Sequence, residues 1–246
     1  SMAVAWDHMP ELDRFALVQL SDLVDRVTTS YDEWRFHQVF HAVHGYCVTE
    51  LSSFYLDVIK DRLYADAADS AGRRSAQTVV ATILTALVRL IAPVLTFTTE
   101  EVWQFMPAAL RGETQSVQLA GWPEVDVPSD EAATLRSAYD VLLQVRDVAT
   151  KALEYASNAG AVGKSQEARL VVAGPVEVLE LLTAREPSAL AEMFIVSEVV
   201  VDDEAPEVTV RVEHASGEKC PRCWNWRELN DDGLCERCAD VVSALA

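Results

Sequence analysis

The order of apolar and polar positions divides the chain into a helical first half and a mixed second half. A first helix is predicted over Leu12 to Thr28. A second, from Tyr31 to Tyr64, repeats apolar groups at Phe36, Phe40, Val43, Cys47, Leu51, Phe54 and Val58. Steps of three and four residues put these on one face and mark that face as core. Ala71 to Ile91 is apolar nearly all round after Arg73 and Arg74, as in a helix at the centre of a bundle. Pro93 ends it. Thr98 with Glu101 three residues on has the form of a capping box, opening a short helix to Met106. The fold class expected is mainly α, beginning with an antiparallel helical bundle.

Gly112 to Pro128 reads as an irregular link. A long amphipathic helix follows from Ser129 to Ala156, with Leu135, Tyr139, Leu142, Val145, Ala149, Ala152 and Ala156 on one face and Asn158 and Gly160 as its stop. Then the period changes. Ala168 to Ala173, Phe194 to Val201 and Val208 to Val212 are rich in β-branched residues and read as strands. Short helices are predicted over Pro175 to Thr183 and Pro187 to Met193, which makes a small α/β module. The expected domains are 1–123, a helical bundle; 124–215, a junction helix with the α/β module; and 216–246, a cysteine-bearing tail.

Composition narrows the function. Of 246 residues half are hydrophobic, and 39 Asp and Glu outnumber 20 Lys and Arg, for a formal net charge of −19. Such a chain has ample surface for a core and is not disordered. The 11 basic and 24 acidic residues of 124–246 make that half the more negative. This argues against non-specific binding to DNA or to anionic membranes, though not against a local basic strip that reads one RNA. No uninterrupted apolar stretch reaches the roughly 18 residues of a membrane span; Val79 to Leu95 contains Arg89 and Pro93 and reads as a core helix. With no cationic-then-apolar leader, a cytoplasmic address is expected. The opening Ser1-Met2 reads as a cloning scar, so the chain is expected to be a piece of a longer protein.

The sharpest local signal is Cys220-Pro-Arg-Cys223 followed, after eleven residues, by Cys235-Glu-Arg-Cys238. Two residues between paired cysteines let both thiolates face one ion, and two such knuckles close a tetrahedral shell of four sulfurs. The spacing points to one structural zinc ion, since no open coordination position is implied. Disulfides and an iron or iron–sulfur centre are the alternatives. In so short a tail the metal would supply on the order of 10 kcal/mol of folding energy. Cys47 reads as a small core hydrophobe.

Arg222, Trp224, Trp226, Arg227 and Arg237 surround the knuckles. Rings with guanidinium groups suit unpaired bases and phosphate, although a tryptophan here can equally pack the module onto its neighbour. A second cluster, Tyr31, Trp34, Arg35, Phe36, His37 and His41, opens the second helix; Phe36 is core by periodicity, while Arg35 and His37 project elsewhere. Arg73 and Arg74 are a third candidate contact, or a solvated helix face. Gly163-Lys164-Ser165 imitates the end of a phosphate-binding loop, but Asn158 stands where the first Gly belongs and the order of helix and strand is reversed. No catalytic constellation is evident, and the residues alone suggest a binding module.

Several runs resemble the C-terminal part of the bacterial isoleucyl-tRNA synthetases, a family of class I aminoacyl-tRNA ligases. They are Leu12-Asp13-Arg14-Phe15-Ala16-Leu17, Phe36-His37-Gln38-Val39-Phe40, Leu51-Ser52-Ser53-Phe54-Tyr55-Leu56-Asp57 and Arg73-Arg74-Ser75-Ala76-Gln77-Thr78. Ala92-Pro93, Glu100-Glu101-Val102-Trp103, Val162-Gly163-Lys164-Ser165 and Lys219-Cys220-Pro221-Arg222-Cys223-Trp224 continue the likeness in the same order. The resemblance implies an anticodon-binding bundle, a C-terminal zinc-binding domain with Cys220, Cys223, Cys235 and Cys238 as ligands, and isoleucine tRNA as partner. RNA contacts are expected from Arg222, Trp224, Arg35, His37, Arg73 and Arg74. The family's ATP-dependent chemistry belongs to a catalytic domain whose His-Ile-Gly-His and Lys-Met-Ser-Lys-Ser motifs are absent here, so no catalytic residue and no activity are expected of this chain alone. A monomer that binds neither membrane nor DNA is expected. Two other readings stay open: a free-standing interaction protein on the same scaffold, and a zinc finger like that of formamidopyrimidine-type DNA glycosylases. The latter need an N-terminal proline that Ser1-Met2-Ala3 does not provide.

Overall fold

The computed structural model describes residues 3–244. Its helices begin with α1 (Glu11–Asp32) and α2 (Phe36–Gly45), which runs on as a π-helical stretch, Tyr46–Tyr55. The short α3 (Leu56–Val58) and α4 (Lys60–Ala65) follow, then α5 (Ala71–Ile91), α6 (Thr96–Phe105), α7 (Ala108–Arg111) and α8 (Ser129–Asn158). The α/β part is β1 (Ala168–Gly174), α9 (Val176–Thr183), α10 (Pro187–Phe194), β2 (Glu198–Glu204) and β3 (Thr209–His214). The tail is a hairpin of β4 (Glu218–Lys219) and β5 (Trp226–Arg227), ending in α11 (Glu236–Ser243). This is the expected class: mainly α with a small α/β module, as the apolar pattern predicts, and a cysteine knuckle, as the cysteine spacing predicts.

The chain forms two compact units. One runs to Asp57 and resumes from Asp69 to Leu135; the other joins Val58–Ala68 to everything from Arg136 on. In the first unit α1 packs on α2 and α5, and α5 on α6. Leu20, Leu23 and Val27 of α1 are fully buried, on the apolar stripe that selected this segment as a helix. Val88, Ala92, Trp103, Met106 and Val117 form a further core cluster, where the Trp103 indole N–H donates to the Thr114 carbonyl at 3.1 Å. Helix α5 is long and apolar enough to cross a membrane by length and composition. Its Val79, Ile83, Ala86, Val88 and Leu90 are buried.

Two expectations fail here. Phe36 and Phe40 are 49 % and 56 % exposed, and Val39 is the fully buried position of α2. The π-helical stretch is the reason: each of its turns takes an extra residue, shown by the Leu56 amide donating to the Leu51 carbonyl five residues back. A stripe drawn at α spacing from Phe54 back to Phe36 therefore changes face. The capping box also does not form. Helix α6 starts at Thr96, two residues before Thr98, with no side-chain cap. Glu100 instead receives the Ser116 hydroxyl at 2.7 Å and the Val117 amide at 3.1 Å.

In the second unit the sheet order is β2-β1-β3, with β1 parallel to β2 and antiparallel to β3. The parallel pair is joined through α9 and α10, the crossover that parallel strands need. Leu170 and Val172 of β1 are fully buried, as befits a central strand. Helix α10 stops at Phe194 because Ile195 is left-handed, with φ 57°, so β2 begins later than its β-branched run suggests.

Neighbouring aromatics on α6 provide a test. Trp103→Ala should destabilise the first unit by about 3–5 kcal/mol, whereas Phe105→Ala, at an 84 % exposed position, should change it by under about 0.5 kcal/mol. Urea unfolding of both variants checks this; equal losses would place Phe105 in a core.

Candidate metal centre and nucleic-acid interface

The hairpin β4–β5 carries Cys220 and Cys223 on its connection, where the Trp224 amide closes a turn on the Cys220 carbonyl at 2.8 Å. Cys235 is the N-cap of α11, and Cys238 lies in that helix's first turn. The four Sγ atoms lie within 4.8 Å of one another. Cys220, Cys235 and Cys238 are buried and Cys223 is half-buried.

Burial pushes the Cys220 thiol up, but backbone hydrogen bonds from Cys223, Cys235 and Arg222 outweigh it and bring it down to about 6. Burial pushes Cys235 up to about 12 and raises Cys238, where the Arg222 hydrogen bond acts in the opposite sense. Four crowded sulfurs of this kind are held together as thiolates only around a cation. The donor set thus fits one metal ion with four sulfur ligands. Cys47 stands apart, half-buried, its thiol raised by burial and by Glu50.

The two tryptophans of the module differ. Trp226 packs edge-on against His214 with ring centroids 4.4 Å apart, and its amide donates to Ser197 Oγ at 2.7 Å. That is the packing role. Trp224 is 58 % exposed and has φ 68°, a left-handed conformation uncommon for a bulky residue. Lys164 and Lys219 bring their ammonium groups to 5.7 and 5.9 Å from its ring centroid. These are two of only four lysines in the chain. Neither lysine stands out in the sequence: Lys164 lies in the run that imitates a phosphate-binding loop, whose Gly163 amide in fact donates to Glu167 Oε2 at 2.7 Å.

Arg222 lies beside the metal ligands, donating from Nη1 to Cys238 Sγ at 3.5 Å and to the Ala65 carbonyl. In the first unit Arg35 pairs with Glu33 at 3.1 Å, and His37 is exposed beside it at the start of α2. Arg73 and Arg74 are half-buried at the start of α5, where the Arg73 amide donates to the capping Ser70 hydroxyl at 3.2 Å. The structure thus gathers the four cysteines with Arg222, and leaves Arg35–His37 and Arg73–Arg74 on two different helices. It also exposes Phe36, which the pattern places in the core, among further exposed rings. Trp34 is 79 % exposed with φ 58°, and edge-on contacts of 5.5–6.1 Å link Trp122, Tyr31, Phe36 and Trp34 in a row.

A family model described as the anticodon-binding domain of tRNA ligase matches residues 13–172. The chain belongs to this family. Among curated relatives, the isoleucine–tRNA ligase of Syntrophotalea carbinolica is 44 % identical over 98 % of the chain. Those of Desulforamulus reducens and Bacillus mycoides are 43 % and 40 % identical over 97 %. The chain spans 27 % of the length of each. The matches to the relatives include the cysteine-bearing tail, which lies beyond the region that the family model covers.

The metal centre has a direct check. Cys223→Ser is expected to abolish metal binding, read by mass spectrometry of bound metal, and to raise amide exchange in 218–240 while the exchange of α1 and α5 stays unchanged. Loss of protection in α1 and α5 as well would tie the fold of the first unit to the centre.

Proposed function

We propose that this chain recognises the anticodon region of isoleucine tRNA as part of an isoleucine–tRNA ligase. The observation that carries the reading is the exposed Trp224 indole with the Lys164 and Lys219 ammonium groups within 6 Å of its ring centroid, in a family of anticodon-binding domains. An unpaired base stacks on an indole, and the two ammonium groups now lying over the Trp224 ring would turn to the flanking phosphates. Within the first unit the corresponding surface is the start of α2, where Arg35 and His37 lie beside the Trp34–Phe36 rings, with Arg73 and Arg74 of α5 as a further contact. In this reading 1–123 is the anticodon-binding bundle, 124–215 the junction and α/β module, and 216–246 the zinc-binding domain.

The ion is zinc and its role is structural: four sulfur ligands leave no position for water or substrate. Attachment of isoleucine with ATP belongs to a catalytic domain outside this chain. The chain itself is inactive in that reaction, acts as a cytoplasmic monomer, and binds neither membrane nor DNA. A net charge of −19 makes its affinity for RNA modest and dependent on salt.

Fluorescence anisotropy with the isoleucine and valine anticodon stem-loops, at two salt concentrations, tests the proposal. Tighter binding of the isoleucine stem-loop, weakening with salt, is expected; equal binding of the two would remove anticodon recognition from this chain. Trp224→Ala should cost about 1–3 kcal/mol of binding with bound metal unchanged. Lys164→Ala should lower the salt slope by about 0.7, one phosphate contact.

A further inference from the structure

We propose that Arg222 is a positioning residue that ties the four-cysteine centre to helix α4, so that metal occupancy sets the order of Val58–Ala68. Its Nη1 donates to Cys238 Sγ at 3.5 Å and to the carbonyl of Ala65, the last residue of α4. One guanidinium nitrogen therefore touches both a metal ligand and one of the carbonyls that a helix C-terminus leaves without an intrahelical partner. A cation suits both places, because four thiolates around a divalent ion leave net negative charge and a helix C-terminus carries partial negative charge.

The neighbouring contacts make the arrangement a joint. Arg237, between the ligands Cys235 and Cys238, clamps Asp61 by donating from both Nη1 and Nη2, and Nη1 also reaches Asp66 at 3.2 Å. Asn225 Nδ2 donates to Asp61 Oδ1 at 3.4 Å. Every one of these donors lies in the tail whose fold the metal supports, and every acceptor lies in Asp61–Asp66. All belong to the same compact unit. Cysteine-bound metals are tuned by the groups that hydrogen-bond their ligands, and removing such a group typically weakens metal binding 10- to 100-fold.

Chelator competition on Arg222→Ala and Arg222→Lys, with hydrogen exchange of the 58–68 peptides, tests the joint. Arg222→Ala should lose zinc at 10- to 100-fold lower chelator concentration than the parent chain. Arg222→Lys, which keeps one cation against Cys238 Sγ, should recover most of that loss. In the unsubstituted chain, stripping zinc should raise exchange in 58–68 together with 218–240, while β1 and β3 stay protected and report an intact sheet. Zinc retention by Arg222→Ala equal to the parent, or 58–68 exchange that ignores zinc removal, would overturn the proposal. The removal experiment needs no substitution, so an unfolded variant does not leave the matter undecided. The readouts involve no RNA, so they stand or fall separately from anticodon recognition.

Discussion

The bidentate pair between Asp61 and Arg237 is the contact that holds the 58–68 segment to the metal-binding tail within the second unit. Asp61 sits on α4, in the piece of chain that interrupts the first unit, and Arg237 sits between two metal ligands. Each side chain is about one-third exposed, so the pair keeps some hydration and avoids the full cost of burying charge. Fork-to-fork geometry then gives direction as well as attraction, which a surface lysine would not. Burial pushes the nearby Asp66 carboxyl up, while Arg237, Arg62 and Arg222 hold it down. Arg62, buried and paired with Glu192 Oε1 at 2.5 Å, fastens the other side of α4 to α10.

This changes what the basic residues of the chain are for. Sixteen arginines suggest RNA contacts wherever they cluster, but the structure binds many of them internally. Arg89 donates to the carbonyls of Ala120, Gly121 and Trp122, Arg146 to that of Met193, and Arg14 pairs with Glu131. Arg222 and Arg237 follow the same rule. Lysine is rare, and Lys164 and Lys219 both flank the exposed Trp224.

What was legible in the sequence follows from how local each signal is. Helix α5 and strand β1 could be read almost to the residue, because Pro93 and the β-branched pair Val171–Val172 act within their own segment. The four cysteines were legible as one cluster because spacing within a knuckle is a short-range constraint. The face of α2 was not legible. A π-helical stretch ten residues downstream rephases the whole stripe, and nothing in the residues of 36–44 announces it. The assignment of 58–68 to the second unit was equally hidden, since it depends on partners more than a hundred residues away. Trp224 and Trp226 could not be told apart for the same reason: only the position of His214 and Ser197 makes one of them a packing residue.

The surplus of acid has a consequence for how a chain of this family meets RNA. At ~0.15 M salt the screening length is about 8 Å, so the net charge of −19 is not felt evenly and a contact depends on its immediate surroundings. Around Trp224 those surroundings are two ammonium groups within 6 Å. Around Arg35 they include Glu33 at 3.1 Å, which cancels its charge locally. Stacking on the Trp34–Phe36 rings does not depend on charge in this way, because every base has a π-face. Under the proposed function, the exposed rings of the first unit would hold unpaired bases by stacking, and the lysines beside Trp224 would add phosphate attraction in the second.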